Sequence, residues 1–315
     1  MAGGSKMDTQ NHKKARAEQL RGPQVEEKNK MAHISYSQLS MFSECPKHWQ
    51  LIYIDKASVF EPSIYLVFGS AMHTTLQTYL DTMYRDTIKS ADSLDLPQLL
   101  QKNLSEEFLK SKKQCGKNPC TQSQLTEFFQ DGVNIIDFFK KNRNKYFSKK
   151  WELLGCEFPL NVEIKGKLRF IGFIDVILRN VQSGRIKIID IKTSTRGWRD
   201  KEKKDKTKTS QVLLYKYFYS KKYNVPINTV DVEYFIVKRK LWENSDFPQK
   251  RVQLFSPASG TISVKRTLDS LSKFVFEAFD EEGKKIVKEH EATPNKNSCR
   301  WCEFNQTKYC DKGIK

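Results

Sequence analysis

The chain is short of several things, and each shortage removes a class of protein. Among its 315 residues no apolar run approaches the roughly 18 needed to cross a bilayer, so no membrane-spanning helix is expected. The opening "MAGGSKMDTQNHKKARAEQLRGPQVEEKNK" lacks the apolar stretch of a secretory signal. No GxxxxGK[ST] sequence is present, which argues against an ATP-driven helicase. No internal repeat and no low-complexity tract suggest a solenoid or a fibre. The expectation is a soluble, intracellular (cytoplasmic) protein with no membrane partner, of cellular or viral origin.

Acidic residues are also in deficit, with 37 Asp and Glu against 55 Lys and Arg, a net charge of +18. An excess of that size favours a polyanionic partner, of which nucleic acid is the commonest. A basic surface that only aids solubility is the simpler alternative. Cysteines number seven, and the odd count without an export signal disfavours a disulfide framework. Metal or cluster ligation is the better reading. Hydrophobic residues reach 38%, with 20 Phe and 12 Tyr, enough to build a core.

Residues 1–30 are polar, charged and aperiodic and read as a flexible tail, with Met31 able to serve as a start. "YSQLSMFSECPKHWQ" predicts a helix over 36–50, capped by Ser35 or Ser37. Phe68, Met72, Leu76, Tyr79, Leu80 and Met83 recur at three- and four-residue spacing and predict an amphipathic helix over 66–86. Further helices are expected over 96–112 and 124–148, separated by a loop with Gly116 and Pro119. From about 151 the pattern turns to strands. "CEFPLNVEI", "KLRFIGFIDVIL" and "RIKIIDIKT" are joined by Lys165-Gly166 and Gln182-Ser183-Gly184, which predicts a three-stranded antiparallel meander. A helix over 210–223, a strand in "VDVEYFIVKR", an edge strand in "RVQLF" and a last helix to about 288 complete the reading.

Asp175 interrupts the second strand of the meander, and Asp190 and Lys192 the third. Side chains alternate along a strand, so Asp190 and Lys192 share a face while Ile189 and Ile191 point the other way. A meander can set Asp175 beside Asp190. Two half-buried carboxylates repel each other and lose hydration, and a divalent cation relieves both penalties. A few hard oxygen ligands suit Mg²⁺ or Mn²⁺. Lys192 would then face an attacking water or the charge of a pentavalent phosphorane. Taken alone, "DIK" is equally an Asp–Lys ion pair on an exposed strand face.

"GFIDVI" followed by "IIDIKTS" resembles motifs II and III of the PD-(D/E)XK nuclease superfamily in its RecB-type form. His73, in "FGSAMHTTLQTYL", matches the family's upstream His, and Gln211 and Tyr215, in "QVLLYKYF", match its QxxxY helix. The resemblance runs across residues 36–240. It implies a restriction-endonuclease-like α/β core, a central mixed sheet with an antiparallel meander flanked by helices. It also implies a metal site of His73, Asp175, Asp190 and the Ile191 carbonyl, with Lys192, Gln211 and Tyr215 completing the catalytic set. A lone His on an apolar stripe is more often a packed core residue, and Tyr215 could simply pack with Phe218. Glu157, on the first strand, is a further acidic group left outside the set.

"SCRWCEFNQTKYC" gives Cys299-x2-Cys302-x7-Cys310, and Cys45 in "FSECPKHWQ" makes a fourth thiol. This resembles the iron–sulfur branch of the RecB-like nucleases, which includes the CRISPR-associated adaptation exonucleases. There one N-terminal and three C-terminal cysteines hold a [4Fe–4S] cluster. The last spacer has seven residues here, where about five is commoner. Zn²⁺ would accept the same four thiolates. Cys115 and Cys120 read as incidental and Cys156 as a strand residue.

The expected organisation is a tail (1–30), a helical region with Cys45 and His73 (31–150), a nuclease core (151–258) and a C-terminal helix with the Cys-rich cap (259–315). Residues 196–208 hold seven basic and three acidic residues; such a run is usually a solvated loop, but its place makes it a candidate phosphate contact, with Trp198 stacking on a base or packing. The expected activity is a Mg²⁺- or Mn²⁺-dependent deoxyribonuclease, an exonuclease on single-stranded or end-processed DNA in repair, recombination or replication, working beside a helicase or recombination protein. The rivals are a catalytically silent DNA-binding module of the same fold and a structure-specific endonuclease.

Overall fold

The computed structural model describes residues 32–57 and 63–314, and the tail expected over 1–30 lies outside them. A short strand β1 (His33–Ile34) leads into α1 (Tyr36–Glu44) and α2 (Pro46–Tyr53). Two helices therefore replace the single one predicted over 36–50. Cys45 between them is extended at φ −158°, because the residue before a proline is driven out of the helical region. Pro46 then suits the first turn of α2, where its missing N–H costs nothing. Ser35 caps α1 by accepting from the Gln38 N–H.

Next come α3 (Ile64–Arg85), the short α4 (Ile88–Asp92), α5 (Leu96–Cys115) and α6 (Gln122–Asn142). Helix α3 buries the stripe read from its sequence, from Phe68 to Met83. Helix α6 begins in a capping box between Thr121 and Gln124. It stops at Asn142, short of 148, where Arg143–Lys145 tighten into a 3₁₀ turn.

The sheet holds β2 (Trp151–Lys165), β3 (Leu168–Asn180), β4 (Ile186–Ser194), β5 (Val230–Lys238) and β6 (Val252–Phe255). Strands β2, β3 and β4 form the antiparallel meander, with Gly166 and Gly184 turning at positive φ. Strand β5 joins β4 in parallel, and the crossover carries α7 (Asp200–Lys204) and α8 (Lys206–Tyr223). Strand β6 lies antiparallel at the edge. Strand β1 pairs in parallel with the first half of β3, so a segment before residue 150 supplies a strand to this sheet.

After the sheet come α9 (Thr261–Ala278) and α10 (Lys296–Cys299). The last long helix thus ends at 278 rather than about 288. Phe279 leaves it to pair with Lys285 across a turn closed by the Gly283 N–H on the Asp280 carbonyl.

The layers are helix, sheet, helix. One face of the sheet packs Leu39, Phe42 and Trp49 of α1 and α2 with Phe218 of α8 and Phe274 of α9. The other packs Phe68 and Met72 of α3 with Ile135 and Phe139 of α6 over Val176, Ile189 and Phe235. Burial of this kind supplies most of the stability. One ion pair is sunk into the second layer. Arg239, just past β5, is 8% exposed and bonds Asp131 of α6, which is 6% exposed. Without Asp131 the buried Arg239 keeps only Glu127, a half-exposed partner. Asp131→Ala should destabilise the fold by about 3–5 kcal/mol, whereas the double change Asp131→Leu, Arg239→Met should cost clearly less. Denaturant melts of the three proteins check this, and equal losses would refute it.

Candidate active site

Strands β3 and β4 stay paired from Arg179↔Ile186 only as far as Val176↔Ile189. The next pair in register would be Asp175 with Asp190, and there the ladder stops. The Asp175 carboxylate takes over the bond that the ladder drops, accepting the Ile191 N–H on Oδ2 at 2.7 Å. The two aspartates thus face each other at the mouth of a strand fork.

The neighbouring strand has its own irregularity there. Ile174 of β3 packs into the first core layer but Val176, two residues on, packs into the second. Phe158 and Cys156 of β2 are divided between the same two layers. Strict alternation would keep each pair on one face. The crossing point is Asp175 in β3 and Glu157 in β2, whose φ is +48°. A left-handed conformation is uncommon for a non-glycine residue and costs about 1 kcal/mol or more.

Helix α3 brings His73 to the fork, with Nδ1 3.6 Å from Asp175 Oδ2. Lys192, beyond Asp190 on the same face, has Nζ 2.6 Å from Asp190 Oδ2. It donates to Gln211 Oε1 of α8 at 3.0 Å, and Gln211 Nε2 in turn reaches the Tyr215 hydroxyl at 3.1 Å. Tyr215 packs over Gly172 of β3, where a Cβ would lie 2.7 Å from its ring. So His73, Asp175, Asp190, Ile191, Lys192, Gln211 and Tyr215 come together in one place.

The charges are under tension. Burial first, then the charge of Asp190, pushes Asp175 well above the usual carboxylate range, while Lys192 and the Ile191 N–H oppose the rise. Burial also raises Asp190, with Lys192 pulling it back. Burial lowers His73 to about 3, and Lys192 adds to the effect, so its imidazole is neutral at neutral pH. Asp190 Oδ2 is buried, and the Lys192 ammonium at 2.6 Å is the charge beside it. Two carboxylates and a neutral imidazole form a donor set that fits a hard divalent cation.

Two residues here carry weak sequence signals. Gln77 lies one turn beyond His73 and is buried; its Nε2 bridges Glu157 Oε1 at 2.9 Å and the Asp175 carbonyl at 3.2 Å. A residue four past a candidate ligand on one helix was the available clue. Glu157, set aside from sequence, stands beside Asp175 and adds to the rise of its pKa. Trp198 packs on Tyr234, with ring centroids 4.8 Å apart.

A second cluster lies against α2. Cys45, Cys299, Cys302 and Cys310 line one small cavity together with His48, all four as free thiols. Burial pushes the Cys302 thiol up, and Cys45 and Cys310 add to the rise. His48 Nε2 lies 3.1 Å from Glu303 Oε2. Cys115 is separate and bonds the Ser111 carbonyl, and Cys156 lies on β2.

The model of the PD-(D/E)XK nuclease superfamily matches residues 33–310, and the chain belongs to that superfamily. It is therefore a hydrolytic nuclease of a family that typically uses divalent metals, and the family implies a DNA substrate. Among solved structures, the protein designated SSO0001 is 15% identical, with a TM-score of 0.35 and 98% of each chain covered. A protein of Eubacterium rectale described as a candidate exonuclease is 14% identical, with a TM-score of 0.43, covering 80% of this chain and 84% of that one. No curated protein matches the sequence. Among the described residues no helix is long and apolar enough to cross a membrane.

The fork makes a pH prediction. A carboxyl whose folded pKa is raised stabilises the fold below its unfolded value of about 3.9 and loses that contribution as pH rises through the folded value. Metal-free protein should therefore melt at lower temperature as pH rises through the raised Asp175 value. Asp175→Asn should flatten that slope and melt higher than wild type in EDTA at pH 8. Parallel wild-type and variant profiles would contradict it.

Proposed function

We propose that the protein is a metal-dependent exonuclease on single-stranded or end-processed DNA. The observation that carries the reading is the fork, where Asp175 and Asp190 face each other with His73 and with a lysine fixed by Gln211. Asp175, Asp190, His73 and the Ile191 carbonyl would hold Mg²⁺ or Mn²⁺. A cation bound there supplies Lewis-acid polarisation of the phosphate and a more acidic water.

The chain's own residues set the rest. Lys192 presents an ammonium where negative charge grows on the phosphoryl oxygens, and it can orient the attacking water. Gln211 accepts from Lys192 and so holds that ammonium in place, and Tyr215 holds Gln211. Asp175 braces β4 through the Ile191 N–H, which fixes the carbonyl of the same residue. Helices α3–α6 stack on one side of the site, which favours entry of a strand end over the middle of a duplex. Work beside a helicase or recombination protein, in repair, recombination or replication, fits such a substrate.

The test uses end-labelled single- and double-stranded DNA with Mg²⁺, Mn²⁺ or EDTA. Wild type should release short products only with metal. Asp190→Ala should abolish cleavage, and Gln211→Ala should slow it by about 10–100-fold, the worth of a charge-assisted hydrogen bond. Equal activity of wild type and Asp190→Ala would end the enzyme reading in favour of a silent binding module. Cutting of closed circular single strands would make the enzyme an endonuclease.

The four-cysteine cavity supports a [4Fe–4S] cluster on Cys45, Cys299, Cys302 and Cys310. A cluster there would tie α2 to the C-terminal segment. Anaerobically purified protein should be brown, with visible charge-transfer absorbance that disappears in Cys299→Ala, Cys302→Ala together with folding or DNA binding. Colourless protein with stoichiometric Zn²⁺ would replace the cluster by a zinc site.

A further inference from the structure

Beside the fork lies a cavity of about 380 Å³ whose wall includes His73 and Lys192. It is continuous with the candidate site, yet the proposed chemistry uses none of its other residues. Its wall also holds Tyr65 and Leu66, in the first turn of α3, and Phe128 of α6. Tyr65 and Leu66 are 59% and 56% exposed, unusual for large apolar side chains beside a charged site. The Tyr65 ring stands edge-on to Phe128, with centroids 5.4 Å apart, so its place is braced while its surface stays open.

Phe128 also carries a cation. The Arg239 guanidinium lies over that ring at 3.9 Å and is fixed by Asp131 and Glu127. Arg239 is itself part of the cavity wall, and its Nε has no hydrogen-bond partner. Chain continuity adds one more feature. The Arg239 and Lys240 N–H groups bond the carbonyls of Ser194 and Thr195, which carries the β4–β5 contact past the strands. Immediately beyond, Arg196 stacks on Trp242 at 3.9 Å, and Trp242 is 60% exposed.

The cavity thus combines an open aromatic face with a fixed cation beside the fork, and its Ser194–Thr195 wall leads on to an exposed Arg–Trp stack. Aromatic faces with flanking cations are what unpaired bases and their phosphates require. A small metabolite would call for a more enclosed apolar pocket, and a protein partner would not explain the continuity with His73 and Lys192. A base pair brings a second backbone that a cavity of this size does not admit.

We infer that this cavity seats one unpaired nucleotide of the strand being cut, its base stacked on Tyr65 with Leu66 beside it. This rests on the nuclease reading and adds to it a requirement for a base near the scissile phosphate. The seat makes the enzyme sensitive to a missing base and sets single strands apart from blunt duplex.

The first measurement needs no catalysis. Single-stranded DNA carrying 2-aminopurine at one of the first three positions from either end is mixed with protein in EDTA. Wild type and Asp190→Asn should quench the fluorescence at one of these positions, blunt duplex should not be quenched, Tyr65→Phe should retain the effect and Tyr65→Ala should lose it. The second measurement replaces that nucleotide by an abasic one in the presence of Mg²⁺ or Mn²⁺. Cleavage by wild type should slow by about 5–150-fold, the factor equivalent to one base–aromatic stack. Tyr65→Ala should be slow on intact DNA and indifferent to the abasic change. Phe276→Ala, remote on α9 and 79% exposed, should behave as wild type in both. Cleavage and binding of single strands without Tyr65-dependent quenching would overturn the seat alone. Wild type that neither binds nor cuts single strands would overturn the seat and the exonuclease reading together.

Discussion

The parting of β3 from β4 is the event on which the site depends. Antiparallel strands normally continue exchanging hydrogen bonds, and leaving backbone groups unpaired in a core is costly. Here the Asp175 side chain takes the Ile191 N–H in place of a ladder partner. One carboxylate therefore ends the ladder and opens the fork. It also fixes the backbone next to the second carboxylate. The surrounding structure is arranged to hold that opening, with α3 crossing on one side and α8 on the other.

The electrostatic strain at the fork is only partly relieved by the chain. Lys192 offsets some of the repulsion between Asp175 and Asp190, but Gln211 draws its ammonium toward α8. His73 contributes no positive charge, since burial keeps its imidazole neutral. A site with two buried carboxylates and one ammonium of its own suits a cation from outside. Stability without metal has been given up for that, as is common where groups are held for function.

Much of this was legible in the sequence, for reasons that differ between elements. The meander could be read because Gly166 and Gly184 punctuate long apolar runs, and the stripe of α3 because its period is regular. Asp175, Asp190 and Lys192 stood out as polar letters in apolar strands. What escaped notice lacked a periodic signal. The exchange of faces at Glu157 and Asp175 requires a backbone irregularity that no spacing announces. Gln77 looked like one more polar residue on an amphipathic helix, and its two partners lie 80 and 98 positions away. The early end of α9 follows from a turn that pairs Phe279 with Lys285, whereas the apolar pattern alone extends further. Tyr65 and Leu66 belong to the same run as the buried stripe, and only the fold reveals that they face outward.

The first layer joins residues from distant parts of the chain. Phe42 and Trp49 pack against Phe274, and the His290 N–H bonds Gln50, 240 positions earlier. The Thr293 hydroxyl reaches the Glu44 carbonyl across 249 positions, and Lys47 pairs with Glu289. During synthesis α1 and α2 emerge early but find no complete core until α9 and the segment after it have been made. Contacts of such long range fold slowly, and waiting apolar helices invite association with other chains. An enzyme able to degrade nucleic acid would thereby acquire the architecture of this core only after α9 and the segment following it have left the ribosome.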